Sequence, residues 1–162
     1  MNTEKTEEQA LSTLTALCSR SEHCTGEMVE KMHRWGLSEE AQARVMAYLT
    51  ENRYVDDERF TRAFVKDKLL YNRWGRRKIE QALWQKRVDA KIYQPILDEI
   101  GQNEWCSQLL PLLKNKRQSI RARSGYELNT KLIRFAMSRG FTMDVIRQCL
   151  DTDEAVDDFE DE

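Results

Sequence analysis

One apolar rhythm, broken at one place, occurs three times in this chain. Residues 27–49 (EMVEKMHRWGLSEEAQARVMAYL), 78–100 (KIEQALWQKRVDAKIYQPILDEI) and 131–150 (KLIRFAMSRGFTMDVIRQCL) lie over one another at offsets of 51 and then 53 residues. Apolar side chains then fall into shared columns: Met28, Ile79 and Leu132; Met32, Leu83 and Ala136; Leu37, Val88 and Phe141. Two more columns follow, Ala41, Ile92 and Val145, then Val45, Ile96 and Cys149. Steps of four keep side chains on one helical face. The single step of five, across RWGL, QKRV and SRGF, breaks that register and predicts a tight turn between two helices. Ser38, Asp89 and Thr142 follow the turn, and all three are good helix N-caps.

Each helix–turn–helix is preceded by another helical stretch, at 10–20, 58–71 and about 104–121. The expected fold is all-α: three tandem three-helix repeats forming an elongated, curved array. Repeat units of this size bury little surface alone and depend on their neighbours. The competing arrangement is a single compact helical bundle. The expected divisions are a flexible N-terminal segment 1–9, repeats at 10–55, 56–103 and 104–150, and a disordered acidic tail 151–162. Composition agrees with helix, with only 2 Pro and 6 Gly among 162 residues.

No stretch approaches the roughly 18 to 20 apolar residues that cross a bilayer, and the start, MNTEKTEEQA, is polar and acidic, so no membrane association and a cytoplasmic location are expected. The 4 cysteines form no C-x-x-C pair. Cys18, His23, Cys24 and His33 cluster in sequence, but free cysteine more often serves as a small buried apolar residue. Neither a metal nor a cofactor is expected.

The stretch NRYVDDERFTRAFV holds three successive carboxylates, Asp56, Asp57 and Glu58. With Asp56 as N-cap, Asp57 and Glu58 enter a first helical turn and oppose the positive end of the helix dipole. Val55 and Phe60 then occupy the positions of a hydrophobic staple. Catalytic acids need a converging partner group, and none is evident. The carboxylates are expected to start a helix.

These same residues carry a resemblance. YVDDERFTRAFVKDK (54–68) followed by WGRRKIEQALWQKRV (74–88) is similar to the RecX family of bacterial recombination regulators. Tyr54, Asp56, Asp57, Arg59, Phe60, Phe64, Val65, Trp74, Gly75, Ile79 and Leu83 occupy matching places, and the similarity covers about residues 10–150. Arg53 and Arg87 stand where the family has glycine in interhelical turns, which predicts a different conformation for those turns. The resemblance implies a non-enzymatic, cytoplasmic regulator in homologous recombination, DNA repair and the SOS response. Its partner would be the RecA filament, whose ATPase and strand-exchange activities it would modulate, chiefly by inhibition. A monomer with weak, non-specific affinity for single- or double-stranded DNA is expected.

Charge is unevenly spread. Residues 1–58 hold 6 basic and 12 acidic side chains, 59–103 hold 11 and 5, 104–150 hold 9 and 3, and 151–162 hold 8 acids and no base. The candidate contact residues lie in the basic middle: Lys66, Lys68, Arg73, Arg76, Arg77 and Lys78, then Lys114, Lys116, Arg117, Arg121 and Arg123. Such clusters suit phosphate backbones or acidic protein patches; a merely solvated helix face is the plainer reading. Tyr71 and Trp74 interleave with the first cluster. Trp74 is expected to anchor the turn into the next helix, while Trp35, Trp84 and Trp105 are expected to pack in the core or between units. The acidic tail has the charge to fold back on the basic face and compete there. The alternative function is a helix–turn–helix protein acting directly on duplex DNA through 38–49, 89–100 and 142–150. The exposed residues of those segments are largely acidic or uncharged, which disfavours that reading.

Overall fold

The computed structural model describes residues 3–160, apart from the side chains of 152–160. Nine helices, and no strand, occur among the described residues: α1 (Glu7–Arg20), α2 (Thr25–Arg34), α3 (Glu39–Glu51), α4 (Asp57–Leu70), α5 (Arg76–Gln85), α6 (Ala90–Asp98), α7 (Gln102–Ser119), α8 (Gly125–Ser138) and α9 (Met143–Glu160). They form an all-α repeat array of three triplets. Of the fifteen residues in the five apolar columns, thirteen are buried; Leu37 and Ile92 are half-buried.

The interruption in the rhythm has one geometry in all three triplets. Gly36, Arg87 and Gly140 adopt left-handed backbone, with φ of 77°, 61° and 93°. The next residue's N–H reaches back five positions: Leu37 to the Met32 carbonyl (3.2 Å), Val88 to Leu83 (3.1 Å) and Phe141 to Ala136 (3.2 Å). This left-handed C-cap satisfies carbonyls that the helix end would leave unpaired. Ser38 then caps α3 through the Ala41 N–H (3.2 Å), and Asp89 caps α6 through the Lys91 N–H (3.0 Å).

Arginine at 53 and 87 does not change these turns. Arg53 (φ 58°) and Arg87 (φ 61°) take the left-handed conformation a glycine would take. The hydrogen bonds of the cap outweigh the strain, which costs about 1 kcal/mol for a residue with a Cβ.

Two compact units emerge, and the second triplet contributes to both: the chain up to Phe64 with Leu83–Ile96, and Val65–Ala82 with the chain from Leu97. In the first unit, Leu14, Met28, Met32, Val45, Leu49 and Val55 form one buried cluster, with Trp35, Leu37 and Tyr54 packed against it. The second unit buries Trp105, Leu109, Leu113, Leu132, Phe141 and Ile146. There Cys106 of α7 and Cys149 of α9 are paired as a disulfide, Cα atoms 5.6 Å apart, rather than standing as separate buried thiols.

The ends differ from expectation. Order begins before residue 10: Thr6 and Gln9 form a capping box (Gln9 N–H to Thr6 Oγ1 3.2 Å, Thr6 N–H to Gln9 Oε1 3.0 Å), and Lys5 N–H bonds the Trp35 carbonyl (3.2 Å). At the other end the backbone of α9 continues to Glu160, since no Pro or Gly interrupts it. Of the tail expected to be disordered, residues 161–162 and the side chains from 152 lie outside the described residues.

Candidate partner and nucleic-acid interface

The carboxylate triplet is fully engaged in building the fold. Asp56 Oδ1 accepts the Arg59 N–H (3.0 Å), as an N-cap should. Asp57 does more: its Oδ1 accepts both the N–H (2.8 Å) and the hydroxyl (3.1 Å) of Thr25, the first residue of α2. Cys24, the N-cap of α2, provides no side-chain cap, so Asp57 supplies it from 32 residues away. Glu58 pairs with Arg62 (3.3 Å), and Arg59 pairs with Glu22 (2.6 Å) while bonding the Arg53 carbonyl (3.0 Å).

The Cys18, His23, Cys24, His33 cluster is likewise dispersed among structural contacts. The Cys18 thiol faces Met28 Sδ (3.8 Å), Cys24 faces Glu27 and the Lys86 carbonyl, and His33 is exposed. Burial pushes the Cys24 thiol up to about 12, so it stays protonated. At Glu27, burial opposes the charge, but a hydrogen bond from His23, the Lys86 ammonium and the Cys24 thiol outweigh it and hold the carboxyl below its usual range.

The first basic run surrounds the start of α5. Gly75 N–H bonds the Arg139 carbonyl (2.8 Å) and Arg77 N–H bonds the Gly140 carbonyl (2.9 Å), so the α8–α9 turn caps α5. The fit requires glycine on both sides: a Cβ on Gly75 would overlap the backbone of Gly140 and Phe141, and one on Gly140 would overlap Lys78. Trp74 sits between Lys68 and Lys78, their ammonium groups 5.0 and 4.8 Å from its ring, and its N–H bonds the Lys68 carbonyl (3.0 Å). It anchors the turn rather than offering a free face.

The candidate cations therefore separate by role. Arg76 pairs with Glu80 and Asp98, both at 2.7 Å, and these partners raise its pKa although burial works the other way. Arg73 is left-handed (φ 53°) and donates to the Gln108 carbonyl (3.4 Å). Lys66 and Arg77 are exposed and have no ion pair among the described residues. Arg77 also borders a cavity of about 520 Å³ lined by Trp105, Phe141 and Asp144.

The second run lies at the end of α7 and in the 120–124 linker. Lys116 rests over the Phe135 ring (5.3 Å), as Arg139 does (5.6 Å), and Arg139 is the residue whose carbonyl caps α5. Phe135 thus joins the two basic runs, which belong to the same unit. Arg117 is half-buried; Lys114, Arg121 and Arg123 are exposed.

Among aromatic residues, Trp105 is buried and Trp35 packs on its core, but Trp84 is 71% exposed rather than internal. Tyr71 stands 82% exposed beside the first run. Tyr126, at 83% exposure, and Arg139 went unnoticed in the sequence; for Tyr126 a signal existed, since it follows the second run by three residues.

Two family models match, described as the second three-helix domain of RecX, over residues 56–94, and the third, over 103–150. A regulatory protein RecX from Acinetobacter baylyi is 30% identical over 135 residues, covering 83% of this chain and 82% of its own length. Its namesakes from Finegoldia magna and Clostridium botulinum (strain Alaska E43) are 29% and 31% identical over 75% and 73% of this chain. The chain spans only 60% and 56% of those two proteins. The crystal structure of RecX from Lactobacillus salivarius superimposes with a TM-score of 0.81 at 16% identity, over 90% of this chain and 95% of that one, a likeness of fold. On the family models and the Acinetobacter relative, this chain belongs to the RecX family.

Proposed function

We propose that this chain is a cytoplasmic regulator of the RecA recombinase that acts by binding the RecA filament on DNA and limiting its ATPase and strand-exchange activities. Family membership supports a regulatory role, and the resemblance noted in the sequence supplies RecA as its object. The reading rests most on the start of α5. Arg76, Arg77 and Lys78 crowd a helix N-terminus with no acid in its first turn, where the dipole already presents positive charge. Arg76 and Lys78 also hold the fold, through Glu80, Asp98 and the Trp74 ring, but Arg77 is exposed without an ion pair among the described residues, which suits a surface for a polyanionic nucleoprotein.

Binding rather than chemistry is favoured because Asp56, Asp57 and Glu58 are taken up in caps and ion pairs. The direct duplex-reading alternative is disfavoured by α3, whose first turn carries Glu39 and Glu40.

The test adds the purified protein to RecA preformed on single-stranded DNA and follows ATP hydrolysis and filament length. Suppression at substoichiometric amounts is expected. Lys66→Glu with Arg77→Glu removes it without touching the ion pairs of Arg76. Full suppression by that folded double variant places the contact elsewhere, and sequence-specific duplex binding with no effect on RecA overturns the reading.

A further inference from the structure

Cys106 of α7 and Cys149 of α9 stand 43 residues apart in sequence and are paired as a disulfide in the interior of the second unit. The same packing also suits the reduced pair. A Cys149 thiol has the Cys106 carbonyl 3.3 Å away as acceptor, so breaking the bond strands no buried donor. Side-chain amides tie the two helices at the surface as well: Gln102 Nε2 reaches Gln148 Oε1 (2.7 Å) and the Asp144 carbonyl (3.4 Å), and Gln148 Nε2 reaches Asn103 Oδ1 (2.6 Å). Exposed hydrogen bonds of this kind compete with water and hold weakly.

The disulfide closes a loop that contains the 120–124 linker, α8 and the left-handed turn at Gly140. That turn does more than join α8 to α9. Its Arg139 and Gly140 carbonyls accept the N–H groups of Gly75 and Arg77, which lie outside the loop, and the close backbone contact at Gly75 leaves the turn no room to shift while it stays docked. Whatever fixes α9 to α7 therefore also fixes the cap on α5. The other two thiols are bystanders. Burial pushes Cys18 up, and Cys24 up to about 12, so both stay protonated and neither is a ready nucleophile. In a reducing cytoplasm a disulfide usually senses redox state rather than holding a fold, and reading this bond so rests on the cytoplasmic location proposed above.

We propose that Cys106 and Cys149 are a reversible redox latch. Oxidised, it pins the α8–α9 turn against the start of α5; reduced, it lets that turn open and frees the N–H groups of Gly75 and Arg77. The oxidant is a low-molecular-weight disulfide. When α9 parts from α7, the thiolate of Cys106, the less deeply buried of the two, attacks one sulfur of that disulfide and expels a small thiol. The Cys149 thiolate then attacks the mixed disulfide and expels the second. The protein pair loses two electrons and two protons, and one small disulfide becomes two small thiols.

The experiment equilibrates the full chain with oxidised or with excess reduced glutathione, in the absence of RecA and DNA. Mass spectrometry after alkylation reads the bond, thermal unfolding reads its effect, and amide exchange by NMR reads the coupling. Reduction is expected to lower Tm by about 10 °C for a closed loop of this length. Exchange at Gly75 and Arg77 should quicken about 10-fold, while the Ala41 amide, bonded to Ser38 in the first unit, stays unchanged. Cys106→Ala with Cys149→Ala abolishes the response to glutathione; where that variant does not fold, the two states of the parent chain carry the comparison. A bond that does not form with oxidised glutathione overturns the proposal, as does one that excess reduced glutathione leaves intact. Equal exchange at Gly75 and Arg77 in the two states overturns it too. RecA enters no arm, so this outcome is separate from that of the RecA assay.

Discussion

The start of α2 and the start of α5 are the same joint dressed in opposite charge. In the first unit, Gly26 lies so close to the Lys86 carbonyl that a Cβ would overlap it, beside the left-handed turn at Arg87. In the second, Gly75 lies as close to the left-handed turn at Gly140. Each pairs the front of one triplet's second helix with the turn of the next triplet. At α2 the helix dipole meets acids: Asp57 caps Thr25, and Glu27 sits in the first turn. At α5 it meets Arg76, Arg77 and Lys78. A joint that only had to hold would be expected to look like the first. The difference marks the second as a joint that also presents charge outward.

The shared geometry is most directly broken at its glycines. Gly26→Ala and Gly75→Ala should each destabilise by about 3 kcal/mol, the upper part of the usual range for overpacking, because the atoms met are backbone. Urea unfolding checks this, and a neutral result at either position would show that the two joints differ in packing after all. Removing the acid that distinguishes α2 is the next effect in size. Asp57→Ala should cost about 1–2 kcal/mol in the same assay through loss of the Thr25 cap.

Arg87→Gly should stabilise by about 1 kcal/mol, relieving the left-handed strain that Gly140 at the matching turn does not bear. A smaller change has the sharper meaning: Arg77→Glu should stabilise α5 by about 0.5 kcal/mol through the dipole while weakening the proposed action on RecA filaments. Stability gained together with activity lost is the signature of a residue kept for binding. Finally, the α2 joint should respond to acid. Glu27 has a lowered folded pKa, so its contribution is present above the ordinary carboxylate range and fades as pH falls through the lowered value. Glu27→Gln should narrow the stability difference between pH 6 and pH 3 by a few tenths of a kcal/mol.

Some of the interface was legible beforehand and some was hidden. Arg76 and Glu80 are four apart, so half of the arginine's neutralisation could be read from helical period; Asp98, 22 residues on, could not. Trp84 was readable and misread. The period that puts Ile79 and Leu83 inside turns the next residue about 100° away, toward solvent. Asp57 gave no hint of its second duty, because the Thr25 N–H it caps is 32 residues earlier in the chain.

The chain's own pattern determined the three triplets, their turns and the caps that begin α3, α4 and α6. These depend on neighbours within five positions, and burying one face of a helix imposes its period on the sequence directly. Tertiary structure alone decided which cations remain available, why Gly26 and Gly75 must be glycine, and that Asp57 caps α2. Those outcomes depend on which carbonyl, carboxylate or ring arrives from the next helix or the next triplet, and the distance along a chain does not encode the distance across a packed joint.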